Sequence, residues 1–276
     1  MRTTESVSRI IIPALRKIIS KIKRVVRTRG YFLRARRARG YFLNAVLSRR
    51  AHGPRPSWFQ LASSFVPWWL SFDAGEELTK RARPWITYPA VRFLERKLQS
   101  DWQVFEFGSG ASTLFFALRC REICAVEHDT AWVEKVQRSL DGFGISNCRL
   151  RLIPAELKQI SGEGTNSFRY GSKHDGWEEY VFEKYARSID DLADRSVGLV
   201  LVDGRAREAC LRHAIPKVSP GGVLVLDNSE RPGYQAAINE VPNSWLRFEF
   251  PGPSAQAEFF SNTTIWVVPQ DPPEPS

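Results

Sequence analysis

The chain has 276 residues, enough for one large domain with an appendage. Hydrophobic residues make up 43%, which permits a full core. Four scattered cysteines (Cys120, Cys124, Cys148 and Cys210) form no C-x-x-C pair, and there are only four histidines, which argues against a disulfide framework or zinc site and fits a reducing compartment.

The net charge of +10 is unevenly spread. Residues 1–55 hold 16 Lys and Arg against Glu5 alone, an excess of +15, whereas the remaining 24 Lys and Arg are outnumbered by 29 acids. The basic character therefore belongs to an arm. Such an arm meets an anionic surface, either lipid headgroups or a phosphate backbone.

In chain order, SRIIIPALRKIISKIKRVVRTRG at 8–30 predicts an amphipathic helix. Ile11, Leu15, Ile18, Ile22 and Val25 recur at steps of three and four among Arg and Lys. RGYFL at 29–33 returns at 39–43, too short an echo for a repeat fold. Two readings of the arm stand side by side: a helix on an anionic membrane surface, and a solvated or body-packed tail. Charges interrupt the apolar residues, so there is no secretory signal; an organelle transit segment stays open. The expected location is cytoplasmic, with or without peripheral membrane attachment.

Residues 56–72, PSWFQLASSFVPWWLSF, form an uncharged run of 17, short for a membrane span and interrupted by Pro67. Residues 76–100 read as helical. The pattern then becomes alternating strands and helices: WQVFEFG, EICAVEHD, NCRLRLIPA, VGLVLVDG and GGVLVLDN are strands with helical stretches between most of them. This predicts an α/β fold with a doubly wound, mostly parallel sheet. SWLRFEFPG and AEFFSNTTIWVV, with no helix between, close it as a reversed terminal strand pair. The predicted divisions are a basic arm at 1–55, an aromatic-rich helical cap at 56–100, the α/β domain at 101–268 and a disordered tail at 269–276.

The first strand runs into FEFGSGAST, a glycine turn opening a helix. Gly108 and Gly110 let backbone approach a ligand, and the free amides at a helix start favour negative groups. The dinucleotide fingerprint needs a third glycine where Thr113 stands, and Glu106 would repel a pyrophosphate. A cofactor with a positive end suits that carboxylate better. At this point, over roughly residues 100 to 268, the sequence resembles the class I S-adenosylmethionine-dependent methyltransferases, with Ser112 in place of the third glycine of their first motif.

The resemblance implies a seven-stranded sheet and a cofactor site of Glu106, Gly108, Ser109, Gly110, Ser112, Thr113, Glu127, Ala155, Glu156 and Asp203. Glu127, 17 residues after Gly110, ends the second strand, where an acid accepts hydrogen bonds from ribose hydroxyls. Ala155 and Glu156 end the third strand, where that family lays its adenine.

Ligands of open α/β sheets lie beyond the carboxyl ends of the strands, which places Asp203 and Asp227 at the chemistry. Either serves as a base for an oxygen acceptor. Asp203, Asp227 and Asn228 also resemble the Mg²⁺ triad of cation-dependent catechol-type O-methyltransferases, the two aspartates being 24 residues apart. Arg205, Arg207 and Arg231 are candidates to clamp an acidic acceptor. In the insertion at 162–185, Tyr170, His174, Asp175 and Trp177 are candidates for acceptor contacts. The expected activity is O-methylation of a small-molecule or lipid-linked acceptor. The alternatives are a nucleic-acid methyltransferase or binding protein using the basic arm, and a non-catalytic scaffold.

Overall fold

The run VGLVLV forms a strand, Val197–Val202, with all six residues buried. Apolar residues on both faces require cover on both sides. The computed structural model describes residues 35–48, 54–72, 82–158, 170–172 and 176–271. In it this strand lies at the centre of a seven-stranded sheet. The amphipathic stretch at 8–30, the first RGYFL copy and residues 272–276 lie outside the described residues.

In chain order, α1 covers 35–48, α2 is Trp58–Ser71, α3 is Tyr88–Lys97, β1 is Gln103–Phe107 and α4 is Ala111–Ala117. β2 is Glu122–Glu127, α5 is Thr130–Gly142 and β3 is Cys148–Leu152. β4, Glu156–Leu157, and β5, Tyr180–Val181, form a small separate hairpin. Then follow α6, Glu183–Ala186; β6, Val197–Val202; α7, Arg207–Ala214; and β7, Val218–Asp227. α8, Gln235–Ile238, β8, Leu246–Gly252, and β9, Ser261–Val267, complete the chain.

The sheet order is β3-β2-β1-β6-β7-β9-β8. The first five strands are parallel. The closing pair is antiparallel as expected; β9 opposes β7 as well as β8, so β8 at the edge runs with the other strands. The strand order reverses between β1 and β6, and a cleft opens beyond the strand ends at such a switch.

Register determines which residues meet there. Phe107 pairs with both Val126 and Val202, and Val202 pairs with Leu226. One residue further on, Gly108, Glu127, Asp203 and Asp227 therefore end their strands level with one another.

The sheet's period of two divides the core. Val200, Val202, Leu224 and Leu226 pack with Phe182, Tyr185, Cys210 and Leu211 on one side. Leu199, Leu201, Val223 and Val225 pack with Phe115 and Phe116 on the other, together with Ala90, Val91 and Leu94 of α3. The expected division at residue 100 therefore cuts through this core. Of the helix expected over 76–100, residues 76–81 lie outside the described residues, 82–87 are not helical and Tyr88–Lys97 form α3. Pro84 disfavours helical geometry in the residue before it, and Pro89 falls in the first turn of α3, where its missing N–H is harmless.

Ser57 and Gln60 cap α2 reciprocally, with bonds of 3.1 and 2.7 Å. At 14 residues α2 is about 21 Å long, short of a bilayer core of about 30 Å. Among the described residues no helix is long and apolar enough to cross a membrane. Instead the tryptophan-rich run packs. Tyr41 of α1, Trp68 of α2 and Tyr88 of α3 form a buried aromatic cluster with Phe65, Phe72 and Phe260. Tyr41 donates to the Leu61 carbonyl (2.6 Å), Trp68 Nε1 to the Ala257 carbonyl (2.7 Å), and Gln256 N to Ser71 Oγ (2.9 Å). The loop between β8 and β9 is thus fastened to α2.

Candidate active site

The level strand ends line a cleft of about 590 Å³, within the range of small-molecule sites. Of the residues expected from sequence, Glu106, Gly108, Ser109, Ser112, Glu127, Asp203, Arg205, Arg207, Asp227 and Asn228 lie on its wall.

Gly108 has φ +97°, and a Cβ there would stand 3.2 Å from the backbone of Gly204. A side chain there would be strained by the left-handed backbone and would press the end of β6 back by a few tenths of an ångström. Gly110 has φ 165°, which is extended backbone open to any residue, and its N–H donates to Thr113 Oγ at 2.9 Å.

Across the cleft, Glu127 is 5% exposed. Its Oε2 accepts from Ser109 N at 3.2 Å and Ser109 Oγ at 3.3 Å. Its Oε1 accepts from His128 N at 2.7 Å and Asp129 N at 3.1 Å, and lies 2.5 Å from His128 Nδ1. Burial alone would raise its pKa. The bonds and charge of His128 and the amide of Asp129 overcome this and leave it lowered. Glu127 is therefore an ionised acid held in one orientation against the glycine bend.

Glu106 differs. It is 1% exposed; Ser112 and Thr113 donate their hydroxyls to its two oxygens, Thr113 at 2.6 Å. Burial pushes its carboxyl up to about 8 despite those bonds. The charged guard expected at Glu106 is therefore largely neutral at pH 7, and its visible work is to hold the first turn of α4.

Asp203 and Asp227 do not gather a cation between them, because a guanidinium is already there. Arg207, 8% exposed, donates to the carbonyls of Asp227 (2.6 Å), Asp203 (2.7 Å) and Gly204 (3.0 Å), and to Asn228 Oδ1 (3.3 Å). It lies 2.8 Å from the Asp203 carboxylate and 3.8 Å from that of Asp227. The expected Mg²⁺ triad does not fit this arrangement. Its three members share a buried positive group, and no group of three or more His, Cys, Asp or Glu suited to a metal occurs among the described residues. The expectation that Arg207 clamps an acceptor gives way for the same reason: its donors are spent on the ends of β6 and β7.

Ala206 (φ +43°) and Asn228 (φ +53°), on either side of this guanidinium, are left-handed, at a cost of about 1 kcal/mol or more each. Burial raises both aspartates, opposed by Arg207; Asp227, also beside Asp203, reaches about 7. Asp203, in the closer contact, is the ion partner. Asp227 accepts from Thr263 Oγ1 at 2.7 Å.

Other expected residues lie elsewhere. Tyr170 bonds His213 Nε2 at 3.2 Å and stacks on that ring, and His213 in turn meets Asp190. Ala155 packs on the core, and Glu156 pairs with Lys184 at 3.6 Å. Arg231 contacts Tyr234 Oη at 3.5 Å and is outside the cleft lining. His174 and Asp175 lie outside the described residues.

Residues not anticipated include His128, Asp129, Trp132, Trp85, Ser254 and Ala255. Asp129 caps α5, accepting from Trp132 N at 2.9 Å, and Trp132 Nε1 donates to the Ser109 carbonyl at 2.7 Å. The EHD-x-x-W spacing after β2 was the available signal. Trp177, a candidate from sequence, does line the cleft, with Arg205 5.4 Å from its ring centre and 3.3 Å from His128 Nε2.

No known family profile matches the chain, and no curated protein is similar to it in sequence. Among solved structures it is similar to an rRNA methylase from Streptococcus thermophilus: 13% identity, 65% of this chain and 93% of that one, TM-score 0.45. It is similar to a Streptococcus mutans protein in complex with SAH: 11%, 64% and 94%, TM-score 0.46. It is also similar to a methyltransferase-like protein from Silicibacter pomeroyi: 19%, 70% and 93%, TM-score 0.42. These likenesses are weak, and the strand order itself carries the assignment. The chain has the class I methyltransferase fold, a seven-stranded sheet with one reversed strand.

Proposed function

We propose that the protein is an S-adenosylmethionine-dependent methyltransferase acting on an oxygen of a small-molecule or lipid-linked acceptor. The observation that carries this is the ionised Glu127 held 3.2 Å from the backbone of the Gly108–Gly110 bend, in one cleft with Asp203 and Asp227. A buried carboxylate with fixed orientation suits a vicinal diol such as ribose. The residues present fit the cofactor, since the cleft offers that carboxylate, aromatic rings at Trp132 and Trp177, and no phosphate-binding glycine triplet.

When bound, S-adenosylmethionine supplies an electrophilic methyl carbon. The protein's share is alignment and proton removal. Glu127 and the turn after β1 hold the nucleoside end. Asp227, with a pKa near 7, takes the proton of the acceptor hydroxyl. Arg207 keeps Asp203 and Asp227 at fixed separation and supplies the positive charge that Mg²⁺ would otherwise provide.

Calorimetric titration tests the reading. S-adenosylmethionine should bind the wild type and bind Glu127→Ala far more weakly. Heat with NADH and none with S-adenosylmethionine would overturn it.

A further inference from the structure

Helix α2 is amphipathic the wrong way round for a helix facing water. Its outward stripe, Phe59, Ala62, Val66 and Leu70, follows steps of three and four and is wholly apolar; Phe59 is 79% and Val66 59% exposed. Its inward stripe, Leu61, Ser64, Trp68 and Ser71, holds two serines. Normally the apolar stripe faces the core. Helix α1 continues the pattern, since Tyr41 and Ala45 are buried while Phe42 and Val46 face out. The β8–β9 loop adds Phe259, 75% exposed, beside α1: Asn44 Nδ2 donates to the Glu258 carbonyl at 2.7 Å, and Arg36 lies 3.7 Å from the Glu258 carboxylate. An apolar surface of this extent marks an interaction site.

Charge selects the occupant. No Asp, Glu, Lys or Arg lies in α2, whereas residues 1–55 carry 16 Lys and Arg and a single acid. Within α1, Arg39 is exposed next to Phe42. Exposed rings and aliphatic side chains on two helices that carry no acid, with Arg36 and Arg39 exposed on α1 and Arg55 just before α2, match a bilayer interface whose headgroups are anionic.

We propose that the α1–α2 face, with Phe259, docks onto an anionic lipid surface, Phe59, Val66 and Phe42 entering the headgroup region while the exposed Arg36, Arg39 and Arg55 pair with the headgroups. The surface adjoins the cleft through one segment. Ser254 and Ala255 line the cleft, and Phe259 stands on the docking face a few residues later. Docking does not depend on the methyl-transfer reading, and its readout is separate from activity.

The test is flotation of the full chain with vesicles of phosphatidylcholine alone and of phosphatidylcholine with phosphatidylserine. Wild type should float with the anionic vesicles and stay behind with the neutral ones. The double variant Phe59→Glu, Val66→Glu should lose about tenfold or more of its vesicle partitioning, with unchanged circular dichroism and melting temperature. Three results would overturn the proposal. One is wild type that does not float with phosphatidylserine. Another is a double variant that floats equally well, which would leave binding to the arm alone. The third is a concentration-dependent dimer dispersed by the same variant, which would make a second copy the occupant.

Discussion

The backbone N–H of Ser109 donates to Glu127 Oε2 across 3.2 Å, joining the turn after β1 to the end of β2. The same carboxylate is held by the amides of His128 and Asp129, so its direction is set before any ligand arrives. Hydrogen bonds to a charged group contribute about 1.5–3 kcal/mol each. Glu127→Ala should therefore weaken S-adenosylmethionine binding by about ten- to a hundredfold or more, measured by calorimetry. Ser109→Ala should change it little, because the 3.3 Å hydroxyl contact is one that a ribose hydroxyl would displace.

Arg207 gives an expectation about both stability and metals. Its donors span the carbonyls of Asp203, Gly204 and Asp227, and removing one member of such a buried charged cluster costs about 3–5 kcal/mol. Arg207→Met should lower the melting temperature markedly, and Arg207→Lys should recover only part, since an ammonium lacks the planar fork. With the guanidinium in place of a cation, methyl transfer by the wild type should persist in excess EDTA and gain nothing from added Mg²⁺.

Glu106 makes stability depend on pH. Its folded pKa, about 8, stands above the ordinary value of 4.5. Between those values the folded chain keeps a proton that the unfolded chain has released, so this group's contribution falls as pH rises through about 8. Glu106→Gln mimics the protonated acid. Relative to wild type, the variant should gain stability steadily from about pH 5 to about pH 8, by up to a few kcal/mol. Thermal melts across that range check the sign.

Asp227 should set the rising limb of the activity profile. A base must be ionised to accept a proton, and this carboxyl reaches about 7. Turnover should climb as pH rises through about 7. Asp227→Asn should remove that limb and cost about a hundredfold or more in kcat, with cofactor affinity retained.

The sheet was largely legible in the sequence because buried parallel strands announce themselves: VGLVLV has no other comfortable home. Glu127, Gly108, Asp203 and Asp227 were legible for the same reason, since strand ends in register must meet. What the sequence concealed was direction. Arg207 sits two residues from Arg205, yet the left-handed turn at Ala206 sends one into the strand ends and leaves the other beside Trp177. Tyr170 belongs to the insertion but turns to His213 of α7. Trp85 reaches the cleft from the segment before α3 and Trp132 from the first turn of α5, positions where a large apolar residue ordinarily reads as core.

The fastening of Gln256 and Ala257 to Ser71 and Trp68 makes the cap inseparable from the α/β body. A shortened chain beginning at residue 82 would keep every strand of the sheet yet strip the packing from Tyr88 and Phe260 and set the Ser254–Ala255 border of the cleft adrift. What looks like a detachable appendage is the anchorage of one border of the cleft, because the loop that carries Ser254 and Ala255 is also the loop sewn to that helix pair.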